Sequence, residues 1–225
     1  TFSRYSHGFR PKRSCHTALS EIKTTFSGVQ WVIEGDIKAC FDSFDHHVLI
    51  NILRRRIKDE HFIALMWKML KAGYMEQWTF HHTYSGTPQG SGVSPILANI
   101  YLSELDTFLE GYQNQFTVGK QNRKASKEYE RARQKYRTQK ALLDQECTKE
   151  TIRAFKEAQQ NLLNTLYYPQ ADKSYRRLQF NRYADDFVVG IIGSRKDAEQ
   201  VKADIRDFLA NTLKLTLSEE KTKIT

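Results

Sequence analysis

The chain has 225 residues, of which 40% are hydrophobic, and a formal net charge of +9 at pH 7. This length allows one large domain or two small ones, with a real core. No run of about 18 apolar residues occurs, which excludes a membrane-spanning helix. The three cysteines are scattered and lack CxxC spacing, so a disulfide framework and a zinc site are disfavoured. The positive charge favours a polyanionic partner, most commonly nucleic acid, although a basic protein without one would look the same.

The N-terminal segment, "TFSRYSHGFRP", lacks both an apolar signal core and an initiating methionine. We therefore expect a chain that is not secreted and that is a piece of a longer protein.

The first part of the chain predicts strands and helices in irregular alternation. "WVIEGDI" is apolar and β-branched, and predicts a buried strand that stops at Asp36. Helices are predicted over residues 45–57, with Asp45 as the N-cap, and over residues 60–72. A strand in "WTFHHTY" and a loop in "SGTPQGSGVSP" then precede a helix that ends near Leu109.

Residues 111–168 differ in composition from the rest. The stretch "GKQNRKASKEYERARQKYRTQK" is densely charged, and long apolar residues are few. One or two long, largely exposed helices are predicted here. Such a charge run is usually a solvated face, although its excess of lysine and arginine could also contact phosphates.

The last third predicts a strand, a tight turn and a second strand in "YRRLQFNRYADDFVVGII", with the turn at Asp185 and Asp186. Ser194 is the predicted N-cap of a helix, with Asp197 three residues later. "LKLTLS" predicts a final strand. Because strands and helices follow no regular βαβ order, we predict an α+β domain with an antiparallel sheet.

The adjacent carboxylates in the predicted hairpin need an explanation, because they repel each other among apolar neighbours. A divalent cation would make them favourable, and Asp oxygens suit Mg²⁺. Neighbouring strand residues point to opposite faces, so a third carboxylate would help, and Asp36 is the best candidate. Two Mg²⁺ ions held in this way could support an in-line phosphoryl displacement. The alternative is an ordinary exposed turn.

Three long motifs occur together and in order: "GDIKACFDSFDH", "GTPQGSGVSPILANIYLSELD" and "YADD" between apolar strands. With "HGFRPKRSCHTAL" and "LKLTLSEEKTKIT", they resemble the reverse transcriptases (maturases) encoded by group II introns. The resemblance covers nearly the whole chain and is weakest over residues 111–168, where that family carries variable insertions. It implies a polymerase palm, with a small antiparallel sheet backed by helices, and part of the fingers. The family's N-terminal fingers segment and helical thumb would lie outside this sequence.

The resemblance implies a set of catalytic and metal-binding residues. Asp36, Asp185 and Asp186 match the family's metal-binding triad, and the backbone carbonyl of Ile37 would lie near a metal. Two Mg²⁺ ions are implied, with Mn²⁺ as a possible substitute. Phe41 matches the family's sugar gate, where a bulky ring disfavours a ribose 2′-hydroxyl. A plain core phenylalanine is the alternative for this position.

Further binding residues follow from the same resemblance. Gln89 and Gly90, in "TPQG", match a loop that lines the nucleotide and template, although an ordinary loop is the simpler interpretation. Lys221 matches a lysine proposed to protonate the pyrophosphate leaving group, which requires close placement. A surface lysine is the alternative. Arg10 and Arg13 could contact nucleic-acid phosphates.

Two histidine pairs, His46–His47 and His81–His82, could suggest a metal site. No second pair at ligand spacing supports one. We therefore predict that these histidines face solvent or have their hydrogen bonds satisfied.

The function implied by the resemblance is that of an RNA-directed DNA polymerase with a maturase role in splicing and mobility of the intron RNA. The partners would be intron RNA as template, a DNA or RNA primer, and deoxynucleoside triphosphates, without a membrane, in a bacterial cytoplasm or an organelle. One alternative is a retron, diversity-generating or CRISPR-associated reverse transcriptase, or an RNA-directed RNA polymerase. Another is an RNA-binding splicing cofactor that does not polymerise. This piece of the chain could be inactive alone.

Overall fold

The computed structural model describes residues 2–76, 79–81, 86, 92–119, 124–168 and 175–225. The chain divides into two compact units. The larger unit comprises Thr1–Thr117 and Arg177–Thr225, and the smaller unit comprises Val118–Arg176.

The larger unit is built on a small antiparallel sheet. The strands of the described chain are β1 (Trp31–Gly35), β2 (Tyr74–Glu76), β3 (Thr79–His81), β4 (Arg177–Tyr183), β5 (Asp186–Ile192) and β6 (Lys223–Ile224). Four of them form one antiparallel sheet in the order β4-β5-β1-β6, while β2 pairs with β3. The register places Ile33 opposite Val189 and Gly35 opposite Phe187. An antiparallel sheet combined with helices confirms the predicted α+β class.

Helices make up most of the remaining described chain. They are α1 (Cys15–Thr25), α2 (Cys40–Ser43), α3 (His46–Arg54), α4 (Glu60–Lys71), α5 (Ser94–Phe116), α6 (Lys127–Gln145), α7 (Lys149–Asn164) and α8 (Arg195–Thr212). The first five and α8 belong to the larger unit. Helices α1, α3, α4, α6, α7 and α8 start where a side chain at the N-cap accepts a free amide of the first turn.

Two predicted helix starts are confirmed by their caps. The Asp45 carboxylate accepts a hydrogen bond from the backbone N–H of Val48 at 2.9 Å. The Ser194 hydroxyl accepts one from the N–H of Asp197 at 3.2 Å, and the Asp197 carboxylate accepts the N–H of Ser194 at 2.8 Å. This reciprocal pair is the predicted capping box.

The core of the larger unit joins the sheet to α5 and α8. Ile33, Val189 and Ile191 come from β1 and β5, Leu105 from α5 and Ile205 from α8, and each is almost completely buried. Residues two apart on a strand share a face, which places Val189 and Ile191 on the same side of β5. Each such side chain contributes about 1.5–3 kcal/mol by leaving water. The ends of β1 and β5 are therefore held firmly together.

The hairpin turn lies one residue earlier than predicted. Tyr183 pairs with Asp186, which is the first residue of β5, so Ala184 and Asp185 form the two-residue turn. Ala184 has a φ of 56°, in the left-handed region. The two carboxylates therefore do not share the turn, because Asp186 already belongs to the ladder.

The prediction of a strand at "LKLTLS" was wrong. Lys214 has a φ of 53°, which interrupts an extended conformation, and the N–H of Leu215 donates to the carbonyl of Leu209 at 2.9 Å. Only an isolated bridge forms, between Leu217 and Ile37. The last described strand lies later, at β6.

Helix α5 runs beyond its predicted end at Leu109, to Phe116. Side chains of the added turns contact α8: the Tyr112 hydroxyl donates to the Asp204 carboxylate at 2.7 Å. One turn earlier, the Phe108 ring stacks on Phe208 with centroids 4.3 Å apart. These tertiary contacts extend the helix past the point where its sequence becomes polar.

The described part of the smaller unit contains two helices, α6 and α7, packed against each other. Tyr136 and Phe155 form a ring contact with centroids 5.3 Å apart, and the buried residues of the two helices are Ala132 and Ala158. Most of both helices is exposed, as predicted from the charge run. No helix within the described ranges is both long enough and apolar enough to cross a membrane.

Candidate active site

Asp36 lies directly after β1, where the chain leaves the sheet. Its backbone carbonyl accepts the N–H of Ser218 at 2.8 Å, and the N–H of Lys38 donates to the carbonyl of Thr216 at 2.9 Å. These two bonds hold the Ile37–Leu217 bridge and do not use the Ile37 carbonyl. The C-terminal segment of the larger unit is thereby brought beside Asp36.

Asp185 and Asp186 reach the same end of the sheet through β5. Because Gly35 pairs with Phe187, the residues that precede Phe187 lie beside those that follow Gly35. A Cβ on Gly35 would collide with the Phe187 ring, so glycine lets the ring cover β1. Close strand packing therefore sets the register that places the hairpin carboxylates near Asp36.

A cleft with a volume of about 560 Å³ opens at this end of the sheet. Its lining includes Asp36, Phe41, Cys40, Asp185 and Lys221. The structure thus brings together three elements that are distant in sequence: the end of β1, the hairpin turn and the C-terminal segment. A concave site with convergent charged groups is typical of a binding or catalytic centre.

The carboxylates of the cleft influence one another. Partial burial, followed by the negative charges of Asp185 and Asp36, raises the pKa of Asp186, while Lys221 opposes the rise. Since more than a third of Asp186 is exposed, solvent weakens these effects. The Nζ of Lys221 lies 3.2 Å from Oδ2 of Asp36. The cleft therefore holds an excess of negative charge that a cation would neutralise.

Cys40 lies against the same carboxylates but has no sign of reactivity. Burial, then the charge of Asp185, raises the pKa of the Cys40 thiol well above its usual range, while Arg182 opposes the rise. A thiol that stays protonated is a poor nucleophile. We assign Cys40 to packing.

The fit of a metal ion rests on the donor chemistry. Within the described residues, no three His, Cys, Asp or Glu side chains already form a group that could hold an ion. However, Asp36 and Asp185 line one cleft, and the negative charges of both raise the pKa of Asp186 beyond the effect of its burial. Carboxylate oxygens are hard ligands suited to Mg²⁺, which keeps several waters and needs few protein ligands. These residues would fit such an ion once Lys221 leaves Asp36.

Phe41 lies at the cleft wall on α2. Its ring is half-buried, contacts Phe44 with centroids 6.1 Å apart, and meets the exposed Phe9 edge-on at 6.4 Å. Gly86 packs behind it: its N–H donates to the Phe44 carbonyl at 2.8 Å, and a Cβ on Gly86 would collide with the Phe41 carbonyl. The ring is therefore supported by packing while one side borders the cleft.

Comparison with known proteins places the chain in a family. The reverse transcriptase (RNA-dependent DNA polymerase) family matches residues 1–121 of the chain. This chain belongs to the reverse transcriptase family. It is 43% identical over 224 residues to the group II intron-encoded protein LtrA of Lactococcus lactis subsp. cremoris, covering 100% of this chain and 37% of that protein. The resemblance to group II intron-encoded proteins is thus confirmed.

Two further comparisons extend the likeness to an intron protein and to a solved structure. An uncharacterized 91 kDa protein in a cob intron of Schizosaccharomyces pombe is 44% identical over 225 residues, covering 100% of this chain and 27% of that protein. The structure of apo telomerase from Candida tropicalis, truncated from its C-terminal domain, aligns with a TM-score of 0.53 at 14% identity, covering 99% of this chain and 36% of that one. That likeness concerns the fold alone. The chain spans about a third of the length of the curated relatives.

Other predicted residues of this chain stand apart from the carboxylates. Arg10 donates to the carbonyls of Ser3 and Ser6 at 2.5 and 2.6 Å, and Arg13 lies 3.8 Å from the Glu21 carboxylate. Neither is among the residues that line the cleft. Their role in nucleic-acid binding stays a prediction. Gln89 and Gly90 lie outside the described residues.

The histidine pairs behave as predicted where the structure describes them. The buried His46 ring places Nε2 2.7 Å from the Gly86 carbonyl, and His47 packs edge-on against Trp67 with ring centroids 4.8 Å apart. His46 therefore serves packing and hydrogen bonding. The side chain of His81, and His82 as a whole, lie outside the described part of the chain.

One residue near the site was missed by sequence reasoning. Arg182, in the middle of "FNRYADD", is fully buried and forms an ion pair with the buried Asp106 at 2.7 Å. The available signal was a charged residue inside a hairpin that the sequence predicts to be buried, since such residues are almost never buried without a partner. Its partner on α5 could not be read from the sequence.

Proposed function

We propose that this chain is the palm, with part of the fingers, of an RNA-directed DNA polymerase of the group II intron type. One observation carries the proposal: Asp36, at the end of β1, and Asp185, in the β4–β5 turn, line one cleft, with Asp186 next to them. The family assignment agrees with this arrangement. Residues 111–168 would be the family's variable insertion, since two exposed helices are found there.

The reaction would be attack of a primer 3′-hydroxyl on the α-phosphate of a deoxynucleotide, with pyrophosphate leaving. Asp36, Asp185, Asp186 and the backbone carbonyl of Ile37 would hold two Mg²⁺ ions, with Mn²⁺ as a possible substitute. Bound there, the ions would stabilise the charge on the attacking and leaving oxygens. The protein itself contributes the rigid end of the sheet, which keeps the carboxylate oxygens in place.

Lys221 would supply the proton for the leaving pyrophosphate. Its side chain is 71% exposed, and its Nζ pairs with Asp36 at 3.2 Å across the cleft. It would first have to leave Asp36, which ion binding by that carboxylate would favour. A positioned general acid typically contributes about 10²–10⁴-fold to the rate.

Phe41 would select the sugar of the incoming nucleotide. Its ring borders the cleft that holds the carboxylates, while Phe44 and Phe9 limit its movement. A ring fixed in this way would collide with a 2′-hydroxyl. Gln89 and Gly90 would line the nucleotide and template, as the family resemblance implies.

The partners would be RNA template, a DNA or RNA primer and deoxynucleoside triphosphates. The net charge of +9 supports a nucleic-acid partner, since phosphate contacts dominate such affinity. The proposed setting is a bacterial cytoplasm or an organelle.

Primer extension on an RNA template tests the proposal. The full-length gene product that contains this chain is assayed with Mg²⁺ and deoxynucleotides, beside its Asp185→Asn variant and an Asp144→Asn variant, which removes the same charge from exposed α6. Extension that Asp185→Asn abolishes and Asp144→Asn leaves intact would support the polymerase. A folded protein that binds RNA without extending the primer would overturn it and favour a splicing cofactor.

A further inference from the structure

The carboxylate hairpin is attached to helix α5 by a buried ion pair. Arg182 in β4 and Asp106 in α5 have side chains that are 0% and 1% exposed. Nε of Arg182 donates to one Asp106 oxygen and Nη2 to the other, both at 2.7 Å. This two-pronged geometry is the one that a guanidinium makes with a carboxylate and that a lysine cannot copy.

The remaining guanidinium donors reach a second residue of α5 and two other segments. Nη1 donates to the Ala184 carbonyl at 2.6 Å and to Oδ1 of Asn99 at 3.3 Å, and Nη2 donates to the Ser6 hydroxyl at 3.0 Å. With the two bonds to Asp106, all five N–H donors of Arg182 have an acceptor. One side chain therefore links β4, α5, the N-terminal segment and the hairpin turn.

The turn that receives this bond is conformationally strained. Ala184 has a φ of 56°, a conformation that residues with a Cβ adopt rarely. Gly8 packs directly on the Ala184 backbone, where a Cβ would collide with its nitrogen, and the Gly8 carbonyl accepts the Asn99 side-chain N–H at 2.8 Å. Strained residues persist only where the surroundings hold them, and they cluster at functional sites.

We propose that Arg182 is a positioning residue that fixes the Ala184–Asp185 turn and so the direction of the Asp185 and Asp186 carboxylates. Its contact with the Ala184 carbonyl is adjacent to Asp185, whereas its anchor, Asp106, sits on a helix of the core. This inference rests on the proposed function, because it matters only if those carboxylates bind metal. It extends that function to a residue that touches neither metal nor nucleotide.

A purely structural role predicts a different result from a positioning role. If Arg182 only stabilises the fold, its replacement lowers stability and leaves metal affinity per folded molecule unchanged. If it positions the turn, metal affinity falls as well. Replacing residues that orient metal ligands typically weakens metal affinity by about 10- to 100-fold.

The experiment compares Arg182→Lys with Leu109→Ala in the full-length protein. Leu109 is a fully buried residue of the same helix, one turn beyond Asp106, so its truncation destabilises the core without removing a guanidinium bond. Thermal unfolding gives the stability of each variant, and electron paramagnetic resonance gives the affinity for Mn²⁺ alone at a temperature where all are folded.

We expect Arg182→Lys to bind Mn²⁺ about tenfold or more weakly, and Leu109→Ala to bind like the wild type at a similar loss of stability. If Arg182→Lys does not fold, Asn99→Ala replaces it in the test. This substitution keeps the ion pair between Arg182 and Asp106 and removes the hydrogen bonds of Asn99 to Arg182 and Gly8. We expect its affinity for Mn²⁺ to be a few-fold weaker than that of the wild type. Wild-type affinity in the folded variant overturns the proposal. Wild-type protein that binds no Mn²⁺ counts against the proposed function itself.

Discussion

The ammonium group of Lys221 lies 3.2 Å from the carboxylate of Asp36, in the cleft that Asp185 also lines. The same lysine opposes the raised pKa of Asp186. An exposed cation thus lies among carboxylates that we propose as metal ligands. Lys221 and a metal ion are both cations and would compete for the Asp36 carboxylate. Each should therefore weaken the binding of the other.

Removing this lysine should separate its two effects. In Lys221→Ala, the affinity for Mn²⁺ should rise a few-fold, because the competing cation is gone. The rate of single-turnover primer extension at saturating Mg²⁺ should fall by about 10²-fold or more, because the general acid is gone. Stability should change by less than about 1 kcal/mol, since the Lys221 side chain is 71% exposed and solvent screens the pair.

Lys223→Ala is the matched control for Lys221→Ala. Lys223 is an exposed lysine of β6 and does not line the cleft. It should leave both Mn²⁺ affinity and rate unchanged. Equal effects of the two substitutions would show that general charge, not placement, is responsible.

Asp186 should make the metal-free protein less stable as the pH rises. Folding raises its pKa above the usual value of 3.8, so the folded state holds this proton more tightly than the unfolded state. Its contribution to stability is present below pH 3.8 and is lost as the pH rises through the folded pKa. In Asp186→Asn, the midpoint of thermal unfolding at pH 7 should therefore be slightly higher than in the wild type.

The advantage of Asp186→Asn should shrink on acidification and also on addition of Mg²⁺, which neutralises the wild-type carboxylates. Thermal unfolding at several pH values, with and without Mg²⁺, measures both trends. Asp144→Asn removes one charge from the smaller unit and controls for net charge. If the difference in unfolding midpoint between Asp186→Asn and the wild type did not depend on pH, the repulsion assigned to Asp186 and its neighbouring carboxylates would be wrong.

Phe41 should control the choice between deoxynucleotides and ribonucleotides. Phe41→Ala removes the ring at the cleft wall, so the ratio of kcat/KM for the two sugars should move toward ribonucleotides by at least about tenfold, or roughly 1.4 kcal/mol. Steady-state single-nucleotide incorporation measures the ratio. Phe9→Ala, which removes a ring in edge contact with Phe41, should shift it less. An unchanged ratio in folded Phe41→Ala would return Phe41 to a packing role.

Two glycines should respond in opposite ways to alanine. At Gly35 a Cβ would collide with the Phe187 ring at the β1–β5 contact, so Gly35→Ala should cost about 1–3 kcal/mol. At Gly111, inside α5, a Cβ meets no atom within 4 Å, so Gly111→Ala should stabilise by about 0.5–1 kcal/mol. Urea unfolding measures both. If the two substitutions changed the free energy of unfolding equally, the contact between Gly35 and the Phe187 ring would not be what disfavours a Cβ at Gly35.

The local structure of this chain could be predicted from its residues. The strand that ends before Asp36, the N-caps at Asp45 and Ser194, and the hairpin around "YADD" all follow from spacing and capping within a few residues. The resemblance identified the family and nominated the carboxylates. The exact turn was misplaced by one residue because the positive φ of Ala184 depends on its surroundings.

Long-range partners could not be predicted in this way. The partner of Arg182 is 76 residues away on α5, and the position of Lys221 beside Asp36 depends on the C-terminal segment that follows α8. "LKLTLS" had the pattern of a strand, but the positive φ of Lys214 and the cap of α8 prevented one.

The sequence by itself determined most of the elements, the class of fold and the candidate carboxylates, because periodicity, capping and motif order are local properties. Only the tertiary structure decided which groups share the cleft: the lysine paired with Asp36, the phenylalanine at the wall and the arginine behind the turn. The physical reason is that strand order and core packing, which bury Arg182 against Asp106 and align β1 with β5, depend on contacts between segments that are far apart along the chain.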